Sequence, residues 1–222
     1  MKINSSKIDI IDVTDDPGLE RFLYRCIFHS KVDSSINAPY LKHRERSEYL
    51  GFAIPKGFRK KVLFLEGDHI GMIEYAPVEA SGLPIVGENI IVMNCIWVHR
   101  KARGLNLGKR LMKEMMETEK QVAGFATLAL EDYWMMWMRK SEIEKLGFMS
   151  IESTRLKHRT YHIEKSFRMH LMWLPVTKNE RRPAWDKSKL LEGVRFCPYH
   201  PIYRDRYGIK KLNIQEIYEE HW

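Results

Sequence analysis

The sequence predicts an α/β fold built on a mixed sheet, and two observations carry that prediction. Strand-like and helix-like segments follow one another in the order β, α, α, β, β, β, α, β, α, β, β. Residues 89–98 are almost entirely apolar, as expected of a central strand buried on both faces. Because a helical segment connects this strand to the next one, the two strands are expected to run parallel.

The elements before this central strand alternate between short strands and helices. Residues 8–13 are strand-like, and Pro17 suits the first turn of the helix that follows. A second helix is expected at residues 38–53. Residues 61–65 and 70–74 are strand-like and are separated by a short segment with turn composition, so they are expected to form an antiparallel hairpin.

The pattern after the central strand changes to helix at Gly104, with apolar residues on one face and charged residues on the other. Residues 125–130 predict another buried strand. Residues 138–146 predict a short helix, which a glycine ends. Residues 149–156 and 167–174 predict two final strands, and with them the periodic region ends.

The chain divides unequally. Residues 1–175 are expected to form the main domain, and residues 176–222 a C-terminal extension that begins with a polar linker at 177–189. About 45 residues are too few for an independent core. We therefore expect the extension to dock on the main domain.

Composition limits the class of protein. The 222 residues are 44% hydrophobic and 30% charged, which argues against a disordered, collagen-like or coiled-coil chain. The net charge of +8 favours anionic partners, which include a phosphorylated cofactor, a nucleic acid or an acidic surface. Three widely separated cysteines, an N-terminus without a signal core and the lack of a bilayer-spanning apolar run predict a cytoplasmic protein that does not enter membranes.

The positive charge is concentrated where the central strand leads into a helix. Six Lys and Arg residues and no acidic residue lie between Arg100 and Lys113, and Gly104 and Gly108 punctuate this loop and helix start. Glycines permit close backbone approach, and helix amides favour anions, so the segment suits a pyrophosphate. Walker and Rossmann patterns are absent. The simpler alternative is a solvated basic helix end.

Residues 103–108, before and at the start of the basic helix, and residues 143–148 form two short motifs. Both motifs resemble those of the GNAT superfamily of N-acetyltransferases. The pyrophosphate loop of that family reads Arg/Gln-x-x-Gly-x-Gly/Ala, and the matching residues here are Arg103-Gly104-Leu105-Asn106-Leu107-Gly108, with Asn106 in place of the first motif glycine. The family's Tyr-Glu-Lys-Leu-Gly-Phe block is similar to Ile143-Glu144-Lys145-Leu146-Gly147-Phe148. The resemblance covers about residues 8–174.

This resemblance implies a GNAT-like fold that holds acetyl-CoA where the two central parallel strands splay apart. No metal is predicted, because the sequence offers no second Cys/His pair with zinc-ligand spacing. Backbone groups of the first strand would bind the pantetheine arm, and the following loop would wrap the pyrophosphate. The implied cofactor-binding residues are Ile96, Trp97, Val98, Arg103, Gly104, Leu105, Asn106, Leu107, Gly108 and Lys109.

The sequence departs from the family at two positions near the chemistry. Ile143 replaces a tyrosine that often protonates the departing thiolate, and Met136 replaces an asparagine that helps to hold the pantetheine. Another group or solvent would then supply the proton, or the protein binds CoA without efficient transfer. Candidate groups are Glu131, Tyr133 and Cys95, although each also has an ordinary structural interpretation, as a solvated or packed side chain.

The sequence says less about which residues would bind the acceptor amine. The run 133–138 is unusually aromatic and Met-rich, so Trp134 and Trp137 could line an acceptor pocket, with core packing as the alternative. Glu74 joins this pocket if it faces the cleft. Cys197 and His200 provide half of a redox or zinc motif at most, so neither role is predicted.

The sequence as a whole predicts an acetyl-CoA-dependent N-acetyltransferase that acts on a primary amine of a small molecule or peptide. A non-catalytic CoA-binding protein and a nucleic-acid-associated acetyltransferase are the alternatives. The second alternative draws on the basic residues between Arg155 and Arg168, although a solvated hairpin also explains them. A homodimer is compatible with the sequence.

Overall fold

The computed structural model describes residues 7–24, 42, 44–102, 104–133, 138–159, 164–178, 180–190 and 216–219. The strands of this part of the chain are β1 (Ile8–Asp12), β2 (Arg59–Leu65), β3 (Asp68–Pro77), β4 (Ile85–Val86), β5 (Ile90–Val98), β6 (Gly124–Glu131), β7 (Met149–Arg159), β8 (Glu164–Pro175), β9 (Ala184–Trp185) and β10 (Glu216–Glu219). The α-helices are α1 (Arg21–Tyr24), α2 (Arg44–Ala53), α3 (Leu107–Thr118) and α4 (Lys140–Glu144).

Eight strands form one sheet in the order β1-β2-β3-β5-β6-β8-β7-β10. Neighbouring strands are antiparallel throughout, except that β5 and β6 are parallel. The predicted α/β class with a mixed sheet is therefore confirmed. The parallel pair is formed by the strands that the amphipathic helix α3 connects, as the order of elements predicts.

Helices cover both faces of this sheet. Lys61, Ile73 and Ile96 lie opposite one another on β2, β3 and β5, so their side chains share a face. On that face Lys61 Nζ donates to the Glu114 carbonyl of α3, at 3.2 Å. Glu74 lies on the other face, where it pairs with Arg46 of α2. The apolar core is accordingly divided between the α3 side and the α1–α2 side of the sheet.

Most predicted elements are present with shifted bounds. The hairpin strands are longer than predicted, and α2 begins at Arg44 within the described residues. The segment expected to be a polar linker contains β9, which pairs with β4 and buries Trp185 against the core. Beyond it, β10 pairs with β7. No helix in the described part of the chain is long and apolar enough to cross a membrane.

Candidate functional site

The two parallel strands part soon after they meet. Their pairing extends only over Ile90–Val92 on β5 and Gly124–Ala126 on β6. Just beyond it, the Thr127 hydroxyl donates to the Met93 carbonyl across the junction, at 2.7 Å. On the other edge of β5 the register with β3 skips Asn94, which makes this residue a β-bulge. The second half of β5 is thus separated from β6 by an opening.

Backbone groups of β5 face this opening. The His99 amide donates to the Ile70 carbonyl of β3, at 2.6 Å, so it points away from the opening. Because successive residues of a strand direct their backbone groups to opposite edges, the amides and carbonyls of Val98 and Ile96 point into the opening. An extended ligand could therefore pair with β5 at the place that β6 leaves vacant.

The start of α3 lies at the end of this opening. Gly104 has φ +86° and Asn106 has φ +56°, so the loop turns twice through left-handed backbone conformations before the helix begins. Arg110 makes the first intrahelical bond, to the Asn106 carbonyl at 3.1 Å. The amides of residues 107–109 consequently have no acceptor within the helix and are available for an anion.

These elements enclose a cavity of about 410 Å³. It is lined by Ile96, Trp97, Val98, Ala102, Gly104, Asn106, Leu107, Gly108, Lys109, Met138, Arg139, Glu142, Ile143, Lys145 and Leu146. Eight of the ten residues implied for the cofactor are in this lining. Of the other two, Leu105 is 41% exposed and Arg103 lies outside the described residues.

Gly108 is a position where the absence of a side chain keeps space open. Outside the adjoining helix backbone, the nearest described atom to a Cβ built there is Leu146 Cδ2, at 3.9 Å, and Leu146 also lines the cavity. Packing within the protein therefore does not require glycine, and an added methyl group would project into the cavity. This arrangement fits a ligand that approaches the helix backbone closely, as a pyrophosphate does.

Helix α4 forms the opposite wall. Ile143, at the position of the family's tyrosine, is 1% exposed and lines the cavity beside Met138. Among the described lining residues, none carries a hydroxyl or thiol group. Glu142 is the one carboxylate in that described lining, and it pairs with Lys145 at 2.8 Å. Met138, Arg139, Glu142, Lys145 and Leu146 are lining residues that the sequence motifs do not predict, although the helical spacing of this segment is a signal that could have found them.

Glu131 contacts a different side of α4. Its carboxylate accepts from Lys140 Nζ at 3.2 Å and lies 3.2 Å from His170 Nε2. Lys140 also pairs with Glu144, one helical turn later, at 3.5 Å. Burial acts to raise the pKa of Glu131, but the hydrogen bonds with Lys140 and His170 outweigh it and lower that pKa. Glu131 is therefore an ionised group outside the described lining.

The other predicted proton-transfer residues also lie outside the described lining. Tyr133 is 6% exposed, and its ring packs against Phe167 with centroids 4.6 Å apart. Cys95 is buried on β5, opposite Glu74 of β3.

Glu74, predicted for the acceptor pocket, is enclosed beneath α2. Its carboxylate is fully buried, pairs with Arg46 and lies 3.4 Å from Lys60 Nζ. Arg46 also donates from Nε to the Leu23 carbonyl, at 3.0 Å, and so connects α1 with α2. The remaining pocket candidates, Trp134 and Trp137, lie outside the described residues, as does Met136.

Comparisons with known proteins agree with this architecture. Residues 29–148 match the family model described as acetyltransferase (GNAT) family. A putative GNAT acetyltransferase from Desulfovibrio desulfuricans is similar with 12% identity and a TM-score of 0.51, over 77% of this chain and 100% of that one. An N-acetyltransferase from Staphylococcus aureus Mu50 is similar with 12% identity and a TM-score of 0.52, over 78% and 100%.

A third similar structure is Arabidopsis thaliana NAA60 in complex with acetyl-CoA, with 11% identity and a TM-score of 0.47, over 77% of this chain and 100% of that one. No curated protein shows significant sequence similarity to the chain. The family model spans more than half of the 222 residues, and the two structures with the higher TM-scores share the fold. The chain therefore belongs to the GNAT family of acetyltransferases.

Proposed function

We propose that this protein is an acetyl-CoA-dependent N-acetyltransferase that acts on a primary amine of a small molecule or peptide. The observation that carries the proposal is the cavity at the strand opening, which combines unpaired strand edges with the amides of a helix start. These are the two kinds of backbone group that an amide-containing chain ending in a pyrophosphate requires.

Acetyl-CoA would supply the acetyl group as a thioester. In this proposal Ile96 and Val98 bind the pantetheine arm through backbone hydrogen bonds, and the amides of residues 107–109 bind the pyrophosphate. Lys109 adds positive charge beside those amides. The apolar side chains of Ile143 and Met138 exclude water from the inner wall.

We further propose that the acceptor amine attacks the thioester directly. The attacking nitrogen then loses its proton to solvent, and the departing thiolate takes a proton from solvent. This assignment is supported by the described lining, which offers no hydroxyl or thiol group and only a salt-bridged carboxylate. The rate should then rise with pH as the acceptor amine loses its proton. E131Q and Y133F should each retain the maximal rate within about threefold. A loss of about 100-fold in either variant would show instead that the substituted residue acts as a general acid or base.

The test is calorimetry with acetyl-CoA, followed by a thiol-release assay over a panel of primary amines. Binding with turnover supports the proposal, and failure to bind any acyl-CoA overturns it. Binding without turnover over a wide panel would favour a non-catalytic CoA-binding protein, which Ile143 at the usual tyrosine position specifically suggests. Salt-sensitive RNA binding at physiological ionic strength would favour a nucleic-acid-associated enzyme.

A further inference from the structure

Three side chains from three neighbouring strands form a hydrogen-bonded chain on the α4 side of the sheet. Ser150 Oγ of β7 lies 2.8 Å from His170 Nδ1 of β8. His170 Nε2 lies 3.2 Å from Glu131 Oε2 of β6. The imidazole is buried, whereas Ser150 is exposed to solvent. The hydrogen bonds therefore connect the Glu131 carboxylate, through the buried His170 imidazole, to the accessible Ser150 hydroxyl.

The partners define the roles of the two ring nitrogens. An ionised carboxylate only accepts hydrogen bonds, so His170 Nε2 carries the proton and donates it to Glu131. In the neutral imidazole, Nδ1 is then the acceptor, and Ser150 donates its hydroxyl proton to it. Burial lowers the pKa of His170, and the hydrogen bond with Glu131 offsets only part of this effect, so the neutral form is favoured. The ring nitrogen that faces Ser150 is therefore unprotonated and can accept a proton from it, as the histidine of a serine-histidine-carboxylate triad does through its other ring nitrogen.

Neighbouring side chains fix the orientation of Glu131, and Ser150 remains exposed to solvent. Lys140 binds the second oxygen of Glu131 and keeps the carboxylate ionised and oriented. The charged groups that act on His170 are Glu131 from β6, Lys140 from α4 and Arg168 from β8. On β7, the uncharged Ser153 lies opposite His170 in the pairing register, and the Ser150 hydroxyl contacts the imidazole from a position two residue pairs away.

A bulge follows the serine directly. The β7–β8 register pairs Ser150 with Met172 and Glu152 with Leu171, so Ile151 is left out of the pairing. An extra residue in a bulge interrupts the regular ladder and changes the direction of the backbone. The amide of the residue that follows a nucleophile is a common donor to a developing oxyanion, and here that residue is Ile151.

We propose that Ser150 is a nucleophile toward small acyl esters and thioesters, activated by His170, with Glu131 as the positioning residue. Ser150 Oγ forms a bond to the acyl carbon while His170 Nδ1 takes its proton. The bond from the acyl carbon to the leaving oxygen or sulfur breaks, and His170 returns the proton to that atom. Water, deprotonated by the same imidazole, then forms a bond to the acyl carbon. The bond from that carbon to Ser150 Oγ breaks, His170 returns the proton to Oγ, and the acid is released.

This site is separate from the proposed acetyl-CoA cavity. The cavity is lined by Arg139, Glu142 and Ile143, whereas Glu131 contacts Lys140, which is not part of that lining. The activity at Ser150 therefore needs neither an amine nor the cavity. The two proposals can fail independently, because one is measured as acyl-CoA binding and the other as ester cleavage.

The test measures the cleavage of p-nitrophenyl acetate by the purified 222-residue chain. We expect a burst of up to one p-nitrophenolate per chain and an acetyl group on Ser150 in peptide mass spectrometry. S150A should lower the burst rate at least tenfold. S153A is the matched control, because Ser153 lies opposite His170 in the same strand pair and should leave the rate unchanged.

Two further variants separate chemistry from folding. H170Q should abolish the burst, and E131Q should lower its rate and shift the midpoint of its pH profile, while thermal unfolding shows that each variant remains folded. A burst that persists in S150A, an acetyl group that maps only to other residues, or equal effects of S150A and S153A would overturn the proposal.

Discussion

Replacing Gly108 with alanine separates the role of this residue in binding from its role in folding. Gly108 is the second residue of α3, and glycine is a poorer helix former than alanine by about 0.5–1 kcal/mol. The new Cβ would lie 3.9 Å from Leu146 Cδ2, an ordinary van der Waals separation, so the protein can accept it without strain. G108A should therefore be folded and at least as stable as the original chain.

Ligand binding should change in the opposite direction. The added methyl group enters the space through which a pyrophosphate would reach the amides of residues 107–109. Losing one hydrogen bond to a charged group costs about 1.5–3 kcal/mol, which corresponds to an affinity for acetyl-CoA about 10- to 100-fold weaker. Calorimetry measures this Kd. Thermal unfolding should show an unchanged Tm or an increase of about 1–4 °C.

G51A is the matched control. Gly51 lies within α2, and outside the adjoining helix backbone no described atom lies within 4 Å of the Cβ that alanine would add there. This variant should gain helix stability and keep the acetyl-CoA affinity of the original chain. If G108A bound acetyl-CoA within twofold of the original chain while gaining stability, the helix start would not be the pyrophosphate site. Equal losses of affinity in both variants would show that the effect is not local.

Three other predictions concern the buried charges and the acceptor. E74Q should lower the free energy of unfolding by about 3–5 kcal/mol in urea titrations, because the buried cations Arg46 and Lys60 lose the carboxylate that they share. A loss below about 1 kcal/mol would contradict this prediction. The pKa of His170 is lowered in the folded protein, so its contribution to stability is complete above pH 6.5 and decreases as the pH falls below that value. The free energy of unfolding should therefore decrease between pH 7.5 and pH 5, and H170Q should make this decrease smaller. Substituting Trp134 and Trp137 with alanine should raise the KM for the amine and leave the Kd of acetyl-CoA unchanged, whereas equal losses of both would rule out an acceptor pocket there.

The fold and the cofactor side were predictable because both depend on local patterns. An apolar strand followed by a glycine-containing basic loop and an amphipathic helix places the opening and the anion site together. Asn106 takes the left-handed conformation expected of a residue that replaces a motif glycine.

The elements that the sequence missed depend on distant partners. β9 has two residues and exists only because it pairs with β4, so no periodicity could show it. Glu74 joins the predicted acceptor pocket only if its side chain faces the cleft, and in the structure this side chain is buried beneath α2. Its partners Arg46 and Lys60 come from α2 and β2, and only the folded chain brings them to it.

The short helix α4 gives a reason for the absence of a tyrosine at position 143. Its residue Lys140 pairs with both Glu131 and Glu144, whereas Ile143 lines the cavity and is almost fully buried. A tyrosine hydroxyl at that place would need a hydrogen-bond partner in an apolar wall, or would lose about 1–3 kcal/mol on burial. A described cavity lining without a hydroxyl or thiol group is therefore consistent with the local packing, and the slower chemistry that it implies is what the amine panel and its pH dependence measure.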